Sequence, residues 1–253
     1  MIILNIIESF TTNNENFADK RQIAPKGIMI HSVGTPQPNP EVFVRIFNTP
    51  RPNGRQAGVH AFLGVDDNVW QTLPWRHRAW HAGGAANDTH IGIEMTEPAT
   101  IRYTSGSNFS DLDPAATRKF VHQTYANATR LFAHLCKLFS LDPLADGVII
   151  SHAEGHKKGI ASNHGDVEHI WKHFDLTMPQ FRQDIAKAMK GEVEDIATPR
   201  FNTLKEMPSW ALPTIKKLID KGHLKGDENG NLDLSLDMIR ILVIHDRAGL
   251  YDG

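Results

Sequence analysis

The stretch GIMIHSVG, residues 27–34, is an apolar run that ends on a histidine and then gives way to TPQPNPE. Bounded by glycines and rich in isoleucine, it reads as a buried strand. A histidine at such a strand end is either an ordinary boundary residue or one arm of a metal site whose other arms lie far along the chain. The pattern repeats at GVIISH, 147–152, a second β-branched run that ends on a histidine. Between the two, GVHAFLGVDDNVWQTLPW and IGIEMTEP add further short apolar runs, and VDDN (65–68) supplies the Asp and Asn of a hairpin turn.

Beyond these runs the period changes. In DPAATRKFVHQTYANATRLFAHLCKLFSL, Phe120, Thr124, Ala128, Leu131, Leu135 and Leu138 recur every three or four residues, the stripe of an amphipathic helix, and Asp113 with Pro114 makes its N-cap and first helical position. A second helix is expected over about 178–190, with Thr177 as cap and Gly191 as stop. Strands, a long helix, a strand and another helix predict one α/β domain over residues 1–190, a mixed central sheet flanked by helices. Residues 191–202 are polar and aperiodic and read as a linker. Residues 203–253 read as a small helical module. Its first helix buries Trp210, Ile215, Leu218 and Ile219, its second Met238, Ile239, Leu242 and Val243. A core of that size is marginal on its own.

The composition of the 253-residue chain, 40% hydrophobic and 22% charged with a net charge of −2, is that of a globular protein of one or two domains. Near-neutral charge predicts neither a nucleic-acid partner nor a stable association with membranes. From Arg200 to Gly253 eight basic residues face eight acidic ones, so the helical module is not expected to bind DNA. The one cysteine, Cys136, falls in the long helix and forms no intrachain disulfide. The N-terminus lacks a basic region and a cleavage site, and no stretch is long enough to span a bilayer, so a cytoplasmic protein is expected.

Fourteen histidines are many for this length, and their placement matters more than their number. After His152 comes AEGHKKGIASNHGDVEHIW, which gathers His156, His164, Asp166 and His169 into a segment of loop character. A zinc ion that does chemistry needs three protein ligands and an open fourth position. His31, His152 and Asp166 would satisfy it.

IMIHSVG, AWHAGG, IGIEM and SHAEGHKKGIASNHGDVEHIW, in that order, resemble the zinc-dependent N-acetylmuramoyl-L-alanine amidases of the peptidoglycan recognition protein fold, over about residues 25–190. The last block resembles most the endolysins and autolysins that act on Gram-positive walls. The resemblance implies a zinc amidase domain with His31 and His152 as metal ligands. It implies Asp166 as the third, although Val167 stands where relatives usually carry proline, and His164 is the alternative ligand. It implies Glu94 as general base and then acid. His164, where many relatives have lysine, would stabilise the oxyanion, with activity falling on the alkaline side as a histidine loses its charge. Trp80, His81 and Asn87 match the part of the family that lines the substrate groove. Period-two alternation independently puts Glu94 on the strand face opposite Ile91, Ile93 and Met95.

The implied partner is bacterial peptidoglycan, and the implied reaction cuts the amide between N-acetylmuramic acid and the L-alanine of the stem peptide. A phage or prophage endolysin, held in the cytoplasm until lysis, is the expected role, and a host autolysin would look the same. Members of this fold that lack a complete ligand set bind peptidoglycan without cutting it, which makes a non-catalytic binder the rival class. The tail also resembles, in part, a single S-layer homology repeat, so it is expected to bind the wall or to pair two copies of the chain into a homodimer.

Overall fold

The computed structural model describes residues 4–191, 201–228 and 230–251. The chain divides into two compact units, Met1–Val193 and Glu194–Gly253. Most of the expected linker, 192–200, lies outside the described residues.

The first unit is a mixed α/β layer structure. In chain order it runs β1 (Asn5–Glu8), α1 (Glu15–Asp19), β2 (Gly27–Ser32), α2 (Pro40–Phe47), β3 (Ala61–Leu63), β4 (Asn68–Gln71), β5 (His90–Met95), β6 (Ile101–Ser105) and β7 (Asn108–Asp111). It continues with α3 (Pro114–Phe139), β8 (Ile149–Ser151), α4 (His152–Lys157), α5 (Glu168–Trp171) and α6 (Met178–Lys190). Six strands form one sheet in the order β1-β4-β3-β5-β2-β8, and β6 and β7 form a separate hairpin. Only β3 and β4 pair antiparallel within the large sheet, through the turn that VDDN predicts.

The sheet is covered on both faces, and its central strands β2, β5 and β8 are accordingly buried along nearly their whole length. Ile28 and Ile30 of β2, Ile91 and Ile93 of β5 and Ile149 of β8 pack under α3 and α6 in the main core. Met29 and Ile150 turn to the other face, against Ala82 and Ala86. The long helix starts as expected, with the Asp113 carboxylate accepting the Ala116 N–H and Pro114 in the first turn. Its buried face is broader than the expected stripe, because α3 packs on both the sheet and α6: Val121, Tyr125, Phe132 and Cys136 are buried, whereas Leu138 is exposed. Burial pushes the Cys136 thiol up to about 12, the condition of a packing residue and not of a nucleophile. Helix α6 carries the expected Thr177 cap and ends at Gly191 with φ 77°.

Several elements escape the sequence reading. Strand β1 is short and partly exposed, and α2 begins inside the proline-rich stretch, where Asn39 caps it and Pro40 takes the first turn. The segment after His152 is not a loop throughout. It contains α4 and α5, each too short for a period to show.

The second unit has α7 (Leu212–Asp220) and α8 (Leu236–Arg247) around a core of Met207, Ala211, Ile215, Leu234, Ile239 and Val243. Trp210, expected inside the first helix, precedes α7 and is 44% exposed; Met238, on α8, is 45% exposed because the buried stripe of that helix is narrower than its apolar run. No described helix is long and apolar enough to cross a membrane.

Candidate metal centre

Parallel strands leave a crevice at their carboxyl ends, and the chain uses it. His31, near the end of β2, pairs in register with Glu94 of β5, so both side chains leave the same face of the sheet. Ile30 pairs with Ser151 of β8, which brings His152, the first residue of α4, to the same level. Ser151 caps α4: its hydroxyl accepts the Glu154 N–H at 3.0 Å while Glu154 accepts the Ser151 N–H at 3.2 Å, a reciprocal capping box. The carbonyl of Asp166 accepts the Ala153 N–H at 3.2 Å, which ties the third segment to the same helix start.

Three donor atoms meet as a result. His31 Nδ1 lies 3.1 Å from His152 Nδ1 and 3.2 Å from Asp166 Oδ2, and the remaining side of the triangle is 3.7 Å. Tetrahedral zinc with bonds of about 2.0–2.1 Å separates neighbouring ligands by roughly 3.4 Å. The residues therefore fit the ion. The expected set His31, His152 and Asp166 is brought together, and it is the one such group of three among the described residues. Exposed His164 is not part of it: its ring stands 4.6 Å from that of His152 at the cleft, with Nδ1 3.0 Å from Ser162 Oγ.

A second layer of hydrogen bonds selects the ring nitrogens. His81 Nε2 lies 3.1 Å from the His90 carbonyl, so it carries the proton and leaves Nδ1 to accept from His31 Nε2–H at 2.9 Å. That leaves His31 Nδ1 for the metal. Ser162 Oγ, 3.1 Å from His152 Nε2, does the same for His152. Gly92 makes room for this arrangement, since a Cβ there would stand 2.4 Å from His81 Cγ. Burial drives His81 well below the ordinary histidine range and His152 down to about 4, so both are neutral. Burial also disfavours a charge on His31, but the hydrogen bond it donates to Asp166, with the charges of Glu94 and Asp166, outweighs it and moves the group up. Asp166 is held down: its burial is outweighed by the hydrogen bond and charge of His31.

Glu94 faces this cluster. Its Oε2 is buried with no partner, and burial pushes the carboxyl up to about 8, with the nearby Asp166 and Glu97 charges adding to the rise and His31 opposing it. A cleft of about 950 Å³ opens in front, lined by His31, Glu94, His152, His164 and Asp166 and running on to Phe43, Phe47 and Phe62 beneath α2. Of the expected groove residues His81 reaches this cleft, and it does so as the partner of His31. Asn87 does not: it is buried, and its Oδ1 accepts the N–H groups of His81 and Ala82 at 3.0 and 2.7 Å, which fixes the loop. Trp80 is half-buried outside the cleft lining, with its N–H donated to Asn16. The sequence reading missed Ser162 and Gly92. The strand alternation that isolates Glu94 also isolates Gly92, the one signal available for it.

The sequence profile of the family described as N-acetylmuramoyl-L-alanine amidase matches residues 20–168. No curated protein matches the chain. Among solved structures, the chain is similar to the hydrolase AmiA of Staphylococcus aureus at 18% identity, with 77% of this chain and 89% of that one covered and a TM-score of 0.57. The catalytic domain of XlyA and a mutant endolysin from Bacillus subtilis each share 20% identity, over 72% of this chain and 99% of theirs, with TM-scores of 0.51. At these identities the likeness is one of fold.

Proposed function

The chain belongs to the N-acetylmuramoyl-L-alanine amidase family, and from that premise we propose that it is a zinc-dependent hydrolase of peptidoglycan, cutting the amide between N-acetylmuramic acid and L-alanine. The observation that carries this reading is the convergence of His31 Nδ1, His152 Nδ1 and Asp166 Oδ2 within one coordination triangle, with the unpartnered Glu94 Oε2 in the same cleft. Zinc held by those three residues supplies a Lewis acid that acidifies water and polarises the amide carbonyl.

The other steps belong to the chain. Glu94 takes a proton from the attacking water and returns it to the departing alanine nitrogen; its buried, unpaired oxygen has no competing donor. His164, with Nδ1 turned to Ser162, offers Nε2 to the oxyanion, a contribution of about 10²- to 10³-fold for one such donor. His81 and Ser162 keep the two ligand histidines in the correct tautomer. The apolar arm under α2 gives the substrate a surface on which water is excluded.

An endolysin role, phage or prophage, is the reading of the whole chain. Its support is the likeness of fold to the catalytic domain of XlyA and to a mutant endolysin from Bacillus subtilis. The second unit is read as the part that holds the enzyme on the wall, supported by a cleft of about 700 Å³ lined by Lys205, Lys225, Leu224 and Leu232. The test of the activity is digestion of purified cell walls with and without chelator. Release of free L-alanine amino termini, abolished by chelation and restored by zinc, is expected; binding to walls with no such release would establish the non-catalytic alternative.

A further inference from the structure

Beside the metal cluster runs a hydrogen-bond chain that the proposed reaction does not use: Glu97 and His169 are buried, Tyr103 is half-buried, and Tyr103 and His169 border the same cleft. Glu97, 1% exposed, accepts the Gly34 N–H on Oε1 at 3.0 Å and the Tyr103 hydroxyl on Oε2 at 2.9 Å. Tyr103 Oη in turn lies 2.7 Å from Nε2 of His169. The tyrosine has one proton to give, so with Glu97 ionised the third bond is donated by His169 Nε2–H. The rings of Tyr103 and His169 also stack, with centroids 5.9 Å apart.

The positions of these contacts are telling. Gly34 lies three residues beyond His31, Glu97 three beyond Glu94, and His169 three beyond Asp166. The His169 N–H is donated back to the Gly165 carbonyl, next to Asp166 itself. One carboxylate thus joins the outgoing ends of the three segments that bear two of the metal ligands and the proposed base, and Tyr103, from the β6–β7 hairpin, is the link between them. These segments are 63 and 66 residues apart in sequence across the bonds that join them, and among the described residues no backbone ladder connects the Asp166 loop to β2. A buried carboxylate is tolerated in a core when hydrogen bonds offset its lost hydration, as those from the Gly34 N–H and the Tyr103 hydroxyl do for Glu97.

We propose that Glu97, Tyr103 and His169 form a positioning network that sets the distance of Asp166 from His31 and so the strength and geometry of metal binding. None of the three is assigned to touch the substrate. The proposal rests on the metal reading above, and its test separates the two.

Zinc dissociation constants are to be measured by chelator competition on the full-length protein and its Tyr103→Phe variant, together with the visible spectrum of the cobalt-substituted forms. Loss of the hydroxyl is expected to weaken zinc about 10- to 100-fold and to alter the cobalt bands. His169→Gln, which keeps an N–H donor, is expected to fall closer to the parent than His169→Phe. A Tyr103→Phe variant that melts lower when metal-free but binds zinc as tightly as the parent, with an unchanged cobalt spectrum, would overturn the proposal. Should Tyr103→Phe not fold, equal zinc affinity in His169→Phe and parent overturns it equally. A parent protein that binds no zinc refutes the metal reading instead, before any variant is compared.

Discussion

At the scale of single residues the site separates charge from proton. Glu94 is neutral by preference in the folded, metal-free chain, whereas the same carboxyl in an unfolded chain titrates near 4.5. Proton uptake therefore favours the fold fully below about pH 4.5, and this contribution is lost as the pH rises through about 8. The metal-free Glu94→Gln variant should accordingly be more stable than the parent at about pH 8, by about 2–4 kcal/mol, and nearly equal to it near pH 5, as read by thermal melts. With zinc bound, the same variant should keep the metal and lose about 10²- to 10⁴-fold in kcat on cell walls. His81→Phe removes the acceptor for His31 Nε2–H without touching a ligand; a zinc affinity about tenfold weaker is expected, and an unchanged one would remove His81 from the second layer. Of these residues, His31, His152 and Glu94 are legible in the sequence because strand ends and a two-residue period leave a local trace, whereas Asp166, in a loop, is read from the resemblance of its block to the family. The task of His81 is not legible, since a hydrogen bond across 50 residues leaves no such trace.

At the scale of elements, the sheet carries the site and the short helices complete it. Gly92 sits on β5 where the His81 ring packs, so Gly92→Ala must displace that ring. A destabilisation of about 1–3 kcal/mol together with weaker zinc binding is expected, both measurable by chelator titration and denaturant melts. Ser151→Ala deletes the cap of α4 and should lower stability by about 1 kcal/mol. Strands β2, β5 and β8 and helices α3 and α6 could be read because they are long or continuously apolar, whereas α2, α4, α5 and the β6–β7 hairpin are short and take their order from neighbours. The hairpin is the costliest omission, because Tyr103 comes from it.

At the scale of the molecule, metal, proton and folding are linked. The Asp166 and Glu94 carboxylates raise the proton affinity of His31, so protons and zinc compete for its Nδ1. Apparent zinc affinity should fall as the pH is lowered through the His31 titration, above the ordinary histidine value, and a pH-independent affinity would contradict the placement of His31 Nδ1. Zinc at about a thousandfold excess over its Kd should add about 4 kcal/mol to the stability of the unit that binds it, and chelator should remove the gain. Two compact units also mean that such a shift should appear in the transition of the larger one.

By itself the sequence determined an α/β sheet with histidines at two strand ends, an acidic residue on the strand face opposite Ile91, Ile93 and Met95, a capped long helix and a small helical tail. Each follows from periodicity or from a cap within a few residues. Only the tertiary structure decided that His31, His152 and Asp166 share one triangle, that Asn87 fixes a loop and does not line the cleft, and that Glu97, Tyr103 and His169 join in one chain beside the site. Those relations depend on register between strands distant in sequence and on buried polar groups finding partners, and neither is written into any local pattern.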